Sequence, residues 1–154
     1  MDRNRFEVMY APKVGGAKNL YSEVKALVSL DFFMVFSSIA SLMGGSGQTN
    51  YSAANAVLDS LIIDARNSGI RGICAQWGAV SDVGMGARSN ADTNLQKKGF
   101  MAVEPDMVLN ALKAIFNAAD SYKVAVVPVI WERYLRPKSG HPATPFYSMV
   151  LSQA

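Results

Sequence analysis

The run FFMVF at residues 32–36 is wholly apolar and rich in aromatic side chains. An apolar run without polar alternation is typical of a β-strand that is covered on both faces. Two later runs resemble it, GICAQW at residues 72–77 and VAVVPVI at residues 124–130. Pro128 favours an edge position or a strand end in the third run, because proline cannot donate a hydrogen bond to a sheet. The sequence therefore predicts three strands.

Helical patterns alternate with these strands. Apolar residues recur at helical spacing over residues 12–28, 51–69 and 105–119. Residues 81–100 are rich in glycine and polar side chains, and we expect them to form a loop or a mobile helix. The alternation of helices with buried strands predicts an α/β fold with a parallel sheet. Three strands are few for such a sheet, so we expect the chain to be half of a larger unit.

The composition limits the classes of function. The chain has 154 residues, of which 50% are apolar and 18% charged, as in one globular domain or a large piece of one. The single cysteine, Cys74, excludes an intrachain disulfide, and with the single histidine, His141, it cannot form an all-Cys/His zinc site. The net charge of +3 is mild and the 15 basic residues are scattered, so the sequence predicts no nucleic-acid-binding surface.

The distribution of apolar residues also bears on location. No apolar run approaches the ~20 residues that span a bilayer, so we expect no membrane association. Residues 1–5 (MDRNR) are polar and lack the apolar core of a signal peptide. These features predict a soluble protein of a reducing compartment, the cytoplasm.

The glycine-containing loop GGSGQ at residues 44–48 partly matches two known motifs. In a dinucleotide-binding fingerprint the third glycine would stand at Asn50. In the Gly-x-Ser-x-Gly turn of many hydrolases, the last glycine would stand at Gln48. A hydrolytic triad would also need His141, which lies in a proline-rich tail. Neither motif is complete in this sequence.

A stronger constellation joins the first strand to the helix that follows it. The strand ends at Ser37-Ser38, Tyr51 follows Ser38 by thirteen residues, and Asn55 lies four residues further. Residues at i and i+4 share a helical face, and ligands of α/β folds bind at the carboxyl ends of the strands. Reduction of a carbonyl group needs a hydrogen bond to its oxygen and a proton donor as hydride arrives. A tyrosine donates that proton well when a nearby ammonium stabilises its phenolate.

Four segments carry a more specific signal. They are PKVGGAKNL at 12–20, FMVFSSIA at 33–40, GQTNYSAAN at 47–55 and QWG at 76–78. In this order they resemble the ketoreductase domain of type I polyketide and fatty acid synthases, within the short-chain dehydrogenase/reductase superfamily. Most superfamily members carry a lysine where this chain has Asn55, whereas synthase ketoreductases have asparagine there and take their lysine from the earlier helix. The resemblance covers roughly residues 6–135.

The resemblance implies roles for four residues. Tyr51 would be the general acid that protonates the nascent alkoxide, and Ser38, the second serine of its pair, would hold the β-keto oxygen. Lys13 would make the tyrosine a stronger acid and contact the nicotinamide ribose, and Asn55 would order Lys13 and a proton-relay water. The implied cofactor is NADPH, and the implied reaction is reduction of a β-ketoacyl thioester to a β-hydroxyacyl thioester.

Further residues follow from the same resemblance. Gly78 and Ala79 would border the nicotinamide end of NADPH, although Ala79 replaces a proline that is common in the family. Met43 stands where one stereochemical class of the family has tryptophan, and it is expected to contact the substrate together with Trp77 and Met85. For Trp77 and Met85, packing in the core or along the cleft is an equally good interpretation.

The resemblance also implies how the chain is organised. Residues 1–135 would form the C-terminal, catalytic half of a Rossmann-like doubly wound sheet, and residues 136–154 a linker. The phosphate-binding loop of the family would lie in an upstream half, which this chain would need as a partner together with a β-ketoacyl substrate on an acyl carrier protein. The isolated chain is then expected to be inactive. The alternative is a structural half-domain or truncated product that completes a fold or an interface without turnover.

Overall fold

A computed structural model describes residues 2–26, 30–45, 47–81, 95–118 and 122–135. The predicted linker at residues 136–154 lies outside these ranges, as does most of the segment 81–100. The described residues form helices and a parallel three-stranded sheet. The predicted α/β class is therefore confirmed.

The chain begins with a long helical segment that contains a π-helical turn. Helix α1 spans Arg3–Tyr10, the π-helical turn Ala11–Gly15, and helix α2 Gly16–Val24. The Asp2 carboxylate caps α1, because it accepts a hydrogen bond of 2.9 Å from the Arg5 N–H. The sequence pattern predicts a helix only from residue 12, since no residue of α1 is buried and no apolar stripe marks this part.

The sheet consists of strands β1, Phe33–Ser38, β2, Gly72–Trp77, and β3, Lys123–Val126. All are parallel, in the order β1-β2-β3, with Phe33 of the first strand opposite Gly72 of the second. The second strand has its predicted bounds, and the first continues past the apolar run to Ser38. The third ends before Pro128, which cannot donate to a ladder.

Helices with defined bounds in the rest of the described chain are α3, Ala40–Met43, α4, Thr49–Asn67, α5, Pro105–Asn117, and α6, Trp131–Tyr134. The long helices α4 and α5 correspond to the second and third predicted helices. Gly69 follows α4 with a φ of +82°, a conformation that favours glycine, so the chain leaves the helix there. The short helices α3 and α6 were not predicted, because four residues leave no periodic pattern.

Two apolar clusters lie on opposite faces of the sheet. The cluster beside α4 comprises Val35, Leu58, Ile62 and Cys74. The cluster beside α5 comprises Ile73, Ala75, Trp77, Val103, Ile115 and Val126. Neighbouring residues of β2 thus contact different helices, because successive side chains of a strand point to opposite faces. The strand order is sequential, but α4 and α5 lie on opposite faces of the sheet. The connection from β1 to β2 through α4 and the connection from β2 to β3 through α5 therefore have opposite handedness, although parallel connections are usually right-handed.

The outer edge of β1 is uncovered in the described part of the chain. The strand pairs with β2 alone, so its other edge has no strand partner there. Phe36, in the second half of this strand, is 54% exposed. A bare strand edge beside an exposed aromatic ring invites pairing with another segment.

Ile62 and Ile63 of α4 offer a test of how this helix is oriented, because they are 0% and 41% exposed. The substitution Ile62→Ala is expected to lower the free energy of unfolding by about 2–4 kcal/mol, since it leaves a cavity beneath the sheet. Ile63→Ala, the matched control, is expected to cost only about 0.5 kcal/mol. Urea unfolding followed by tryptophan fluorescence measures both values, and equal losses would contradict the orientation of α4.

Candidate active site

The predicted site residues of α4 lie at its N-terminal end. Tyr51 is in the first turn of the helix and Asn55 one turn later, so both side chains lie on one face. Ser38 ends β1 and is buried, at the carboxyl edge of the sheet. The three residues therefore come from a strand end and from the helix that packs against that strand.

Lys13 reaches Tyr51 from the π-helical turn. Pro12 precedes Lys13, and a proline inside an α-helix removes a hydrogen bond and clashes with the preceding turn. The chain accommodates it by widening, and the Gly16 N–H donates to the carbonyl of Ala11, five residues back. From this turn the Lys13 ammonium lies 5.2 Å from the centroid of the Tyr51 ring. The structure thus brings together two residues that are distant in sequence.

Asn50 links the two helices that carry these residues. Its Nδ2 donates a hydrogen bond of 2.9 Å to the carbonyl of Arg5 in α1. Its Oδ1 accepts a hydrogen bond of 2.9 Å from the backbone N–H of Tyr51. The side chain therefore holds the start of α4 against the first helical segment. The sequence pattern alone did not single it out, because the bond to Arg5 depends on tertiary packing.

Asn55 is 0% exposed, yet one of its polar atoms has no partner among the described residues. Its side-chain Nδ2 donates a hydrogen bond to the backbone carbonyl of Tyr51 at 2.8 Å. The backbone carbonyl of Asn55 accepts one from the Ser37 hydroxyl at 3.3 Å. Its Oδ1 is buried and makes no hydrogen bond to the described residues. An unpaired buried acceptor is costly, so this atom fits a donor such as a water or an ammonium.

The two adjacent serines differ in their contacts. Ser37 points to the α4 face, where its hydroxyl bonds the carbonyl of Asn55. The Ser38 hydroxyl accepts a hydrogen bond of 3.2 Å from the Ala40 N–H. Because that contact uses an oxygen lone pair, the Ser38 proton stays available for another acceptor. Between described residues, no hydrogen bond joins the Ser38 hydroxyl to that of Tyr51.

The residues after β2 are closely packed. The Gly78 N–H donates to the Val126 carbonyl at 2.9 Å, and the Ala79 carbonyl accepts from the Val103 N–H at 2.7 Å. A Cβ at Gly78 would lie 2.9 Å from Val127 Cγ2, so packing alone explains why glycine stands there. Beside them is a small cleft lined by Ile39, Ala79, Leu95, Gln96, Phe100, Met101 and Ala102. The cleft adjoins the proposed site, because it lies where β1 and β2 end.

The residues predicted to contact substrate have different positions. Met43 is half-buried at the end of α3. Trp77 is 7% exposed and belongs to the core cluster beside α5, and its ring lies 5.6 Å from that of Phe36. Met85 lies outside the described residues. A substrate contact of any of the three stays a prediction.

A buried polar cluster lies one turn beyond Asn55. Asp59 follows on the same face of α4 and is 9% exposed. Its carboxylate accepts hydrogen bonds from Gln76 Nε2 at 2.7 Å and Cys74 Sγ at 3.1 Å, and lies 2.8 Å from Ser41 Oγ. Burial raises the pKa of the Cys74 thiol, and the hydrogen bond to the carboxylate raises it further. The cluster was not predicted, although the four-residue spacing of the site residues on α4 continues to Asp59.

Three further findings concern other interpretations of the sequence. The glycine loop at residues 44–48 follows the short helix α3, so it lacks the direct passage from strand to helix of a dinucleotide fingerprint. In the described ranges, no group of three or more His, Cys, Asp or Glu side chains could hold a metal ion. None of the helices described is both long and apolar enough to cross a membrane.

Comparison with known proteins identifies a family and several relatives of this chain. The family model of the KR domain matches residues 1–82. A hybrid PKS-NRPS synthetase of Penicillium crustosum is 41% identical over 105 residues, which are 67% of this chain and 3% of that protein. A 6-methylsalicylic acid synthase of Aspergillus niger is 37% identical over 111 residues, 71% of this chain and 6% of that protein.

Comparison with solved structures finds ketoreductases of polyketide synthases. An A-type ketoreductase from a modular polyketide synthase matches with a TM-score of 0.90 and 28% identity, over 98% of this chain and 31% of that one. The first ketoreductase of the tylosin PKS matches with a TM-score of 0.79 and 33% identity, over 88% of this chain and 29% of that one. The chain thus spans under a third of these ketoreductases and a few per cent of the synthases. Because the family model covers more than half of its 154 residues, the chain belongs to the KR domain family, the ketoreductases of polyketide synthases.

Proposed function

We propose that this chain forms the catalytic part of a ketoreductase that uses NADPH to reduce a β-ketoacyl thioester to a β-hydroxyacyl thioester. The substrate would be carried on an acyl carrier protein of the same synthase. The observation that carries the proposal is the Lys13 ammonium, 5.2 Å from the centroid of the Tyr51 ring. A phenol beside an ammonium is a suitable proton donor for a nascent alkoxide.

Tyr51 donates the proton in this proposal. As hydride adds to the keto carbon, the carbon–oxygen π bond opens and negative charge develops on the oxygen. The proton of the Tyr51 hydroxyl passes to that oxygen, which completes the alcohol and leaves a phenolate. The positive charge of Lys13, 5.2 Å from the centroid of the Tyr51 ring, stabilises the phenolate by Coulomb attraction.

Ser38 holds the keto oxygen. Its hydroxyl accepts a hydrogen bond from the Ala40 N–H, so its own proton is free to be donated. A donor aimed at the oxygen on which charge develops stabilises the transition state more than the substrate. The short helix α3 begins at Ala40, two residues after Ser38, and its first N–H orients this hydroxyl.

Asn55 and Lys13 restore the proton. The Asn55 amide bonds the carbonyl of Tyr51 through Nδ2, and its Oδ1 is left without a partner among the described residues. That atom would bind a water through which a proton reaches the ammonium and then the phenolate. The buried position of Asn55 supports this role, because a lone acceptor is costly there unless a donor arrives.

The chain offers groups that fit the nicotinamide end of NADPH. Lys13 and Tyr51 carry polar atoms suited to ribose hydroxyls. Gly78 and Ala79, which follow β2, have small side chains that would leave room for the nicotinamide. The unpartnered Asn55 Oδ1 lies on the same face of α4 as Tyr51. NADPH, when bound, supplies the hydride. Its phosphates would be held by an upstream half that completes the sheet.

The bare edge of β1 supports that upstream partner. In the described chain the strand pairs on one side only, and Phe36 beside it is 54% exposed. A parallel strand added at this edge would place β1 inside a larger sheet. The chain is therefore expected to be inactive in isolation.

The role of Tyr51 is tested by Tyr51→Phe in the complete domain, assayed by NADPH oxidation with a small β-ketoacyl thioester. The turnover number is expected to fall by roughly 10²- to 10⁴-fold, because the transferable proton is lost. The dissociation constant for NADPH is expected to stay near that of the parent. Tyr10→Phe is the matched control, since Tyr10 packs on Phe6 and should leave the rate unchanged. Reduction by Tyr51→Phe at the parent rate would refute the assignment.

The need for an upstream half is tested by complementation. The isolated chain is expected to oxidise no NADPH with a ketone, and activity is expected once the upstream segment is added. The same mixture with the Tyr51→Phe chain serves as the control. Inactivity in every mixture would favour the alternative, a structural half that completes a fold through the bare edge of β1 without turnover.

A further inference from the structure

We propose that Asp59 is a positioning residue that fixes Ser38 relative to the helix carrying Tyr51. It acts through two other side chains, Ser41 of α3 and Gln76 of β2. The inference rests on the proposed function, because there Ser38 binds the keto oxygen and Tyr51 donates the proton.

Stability does not explain why a carboxylate stands at Asp59. The side chain is 9% exposed, and it takes part in neither of the ion pairs found between described residues. Its three close neighbours, an amide, a thiol and a hydroxyl, are neutral donors. A buried carboxylate held only by neutral donors is costly, and apolar side chains of similar volume often serve a core as well or better.

The hydrogen bonds of Gln76 and Ser41 connect this carboxylate to the end of β1. Gln76 Nε2 donates one hydrogen to Asp59 Oδ2 at 2.7 Å and the other to Ser41 Oγ at 2.9 Å. The Ser41 hydroxyl lies 2.8 Å from Asp59 Oδ2 and 2.8 Å from the carbonyl oxygen of Ser38. The Ser41 hydroxyl has one proton for these two acceptors, and Gln76 Nε2 donates to both its oxygen and the carboxylate, so Ser41 and Gln76 together link Asp59 on α4 to the backbone of Ser38.

The turn after Ser38 needs such support. Helix α3 has only four residues, and a helix of this length is unstable without outside contacts. The Ser38 hydroxyl accepts its hydrogen bond from Ala40 in this same turn. Any shift of the turn therefore moves the hydroxyl that would hold the keto oxygen.

The carboxylate ties this turn to one particular helix. Tyr51, Asn55 and Asp59 are spaced by four residues along α4 and share a face. An α-helix is stiff over two turns, so a contact at Asp59 sets the distance from the turn to Tyr51. A displacement of the order of 1 Å at a reacting group can lower a rate by about a hundredfold.

The first test is the substitution Asp59→Asn in the complete domain. It keeps the side-chain volume but replaces one carboxylate oxygen with an NH₂ group, which cannot accept the hydrogen bonds of the neighbouring donors. The turnover number for a β-ketoacyl thioester is expected to fall roughly ten- to hundredfold, with an unchanged dissociation constant for NADPH. The backbone amide of Ala40 is expected to exchange its hydrogen with D₂O faster than in the parent. This second readout reports the turn itself and does not depend on turnover.

A double-mutant cycle separates positioning of Ser38 from a general loss of structure. In the Ser38→Ala background, Asp59→Asn is expected to lower the turnover number by less than about twofold, because the group it positions is absent. A purely structural role would give the same fold-loss in both backgrounds. Ser41→Ala removes the bridging hydroxyl alone and should show the same dependence on Ser38. It also keeps the test valid if Asp59→Asn fails to fold.

Two controls accompany the cycle. Asp64→Asn changes an exposed carboxylate of the same helix and is expected to keep parent values. Ile62→Val weakens the packing of α4 without touching the polar cluster, and below its melting temperature it should keep the parent turnover number. A drop with Ile62→Val equal to that with Asp59→Asn would overturn the inference.

The outcomes for the inference and for the proposed function are distinguishable. If the parent reduces the thioester and both Asp59→Asn and Ser41→Ala keep its turnover number and Ala40 exchange rate, Asp59 does not position Ser38. If the parent and Asp64→Asn reduce no thioester, the proposed function fails and this role of Asp59 falls with it. Equal fold-losses with and without the Ser38 hydroxyl would also overturn the inference.

Discussion

The contact between the first helical segment and α4 is the interaction on which the candidate site depends. Pro12 cannot continue an ordinary α-helix, and the π-helical turn that accommodates it changes the direction of Lys13. Asn50 then bonds Arg5 on one side and the Tyr51 backbone on the other. The ammonium reaches the Tyr51 ring only because the two helices are held in this register. A lysine on another face of the segment would not reach this ring.

The fold was predictable where burial leaves a pattern in the sequence. The apolar runs identify the strands, and β2 has the predicted bounds because all of its residues are buried. The third strand ends before Pro128, for the backbone reason that the sequence indicates. Helix α1 was missed because none of its residues is buried. The opposite handedness of the two connections could not be predicted from periodicity. The apolar stripe of a helix shows that the helix packs on a sheet, but not on which face of the sheet it packs.

The site was predictable only in part. The four-residue spacing of Tyr51 and Asn55 places them on one helical face, and the end of an apolar strand locates Ser38. Lys13 could be joined to them only through resemblance to a family, because its approach depends on helix packing. The contacts of Asp59 with Ser41 and Gln76 unite three separate elements, and no local pattern encodes them.

The chain satisfies the polar groups that position its site but not all of those that would bind. Around Asp59 every close donor has a partner within the described residues. At the site, Asn55 Oδ1 has none among these residues, the outer edge of β1 has no strand partner in the described ranges, and Phe36 is 54% exposed. Buried unpaired atoms and bare edges are costly, so they indicate where further groups bind. Under the proposed function, residues of this chain would set the geometry of proton transfer, and cofactor binding would depend on a partner that pairs with the bare edge of β1.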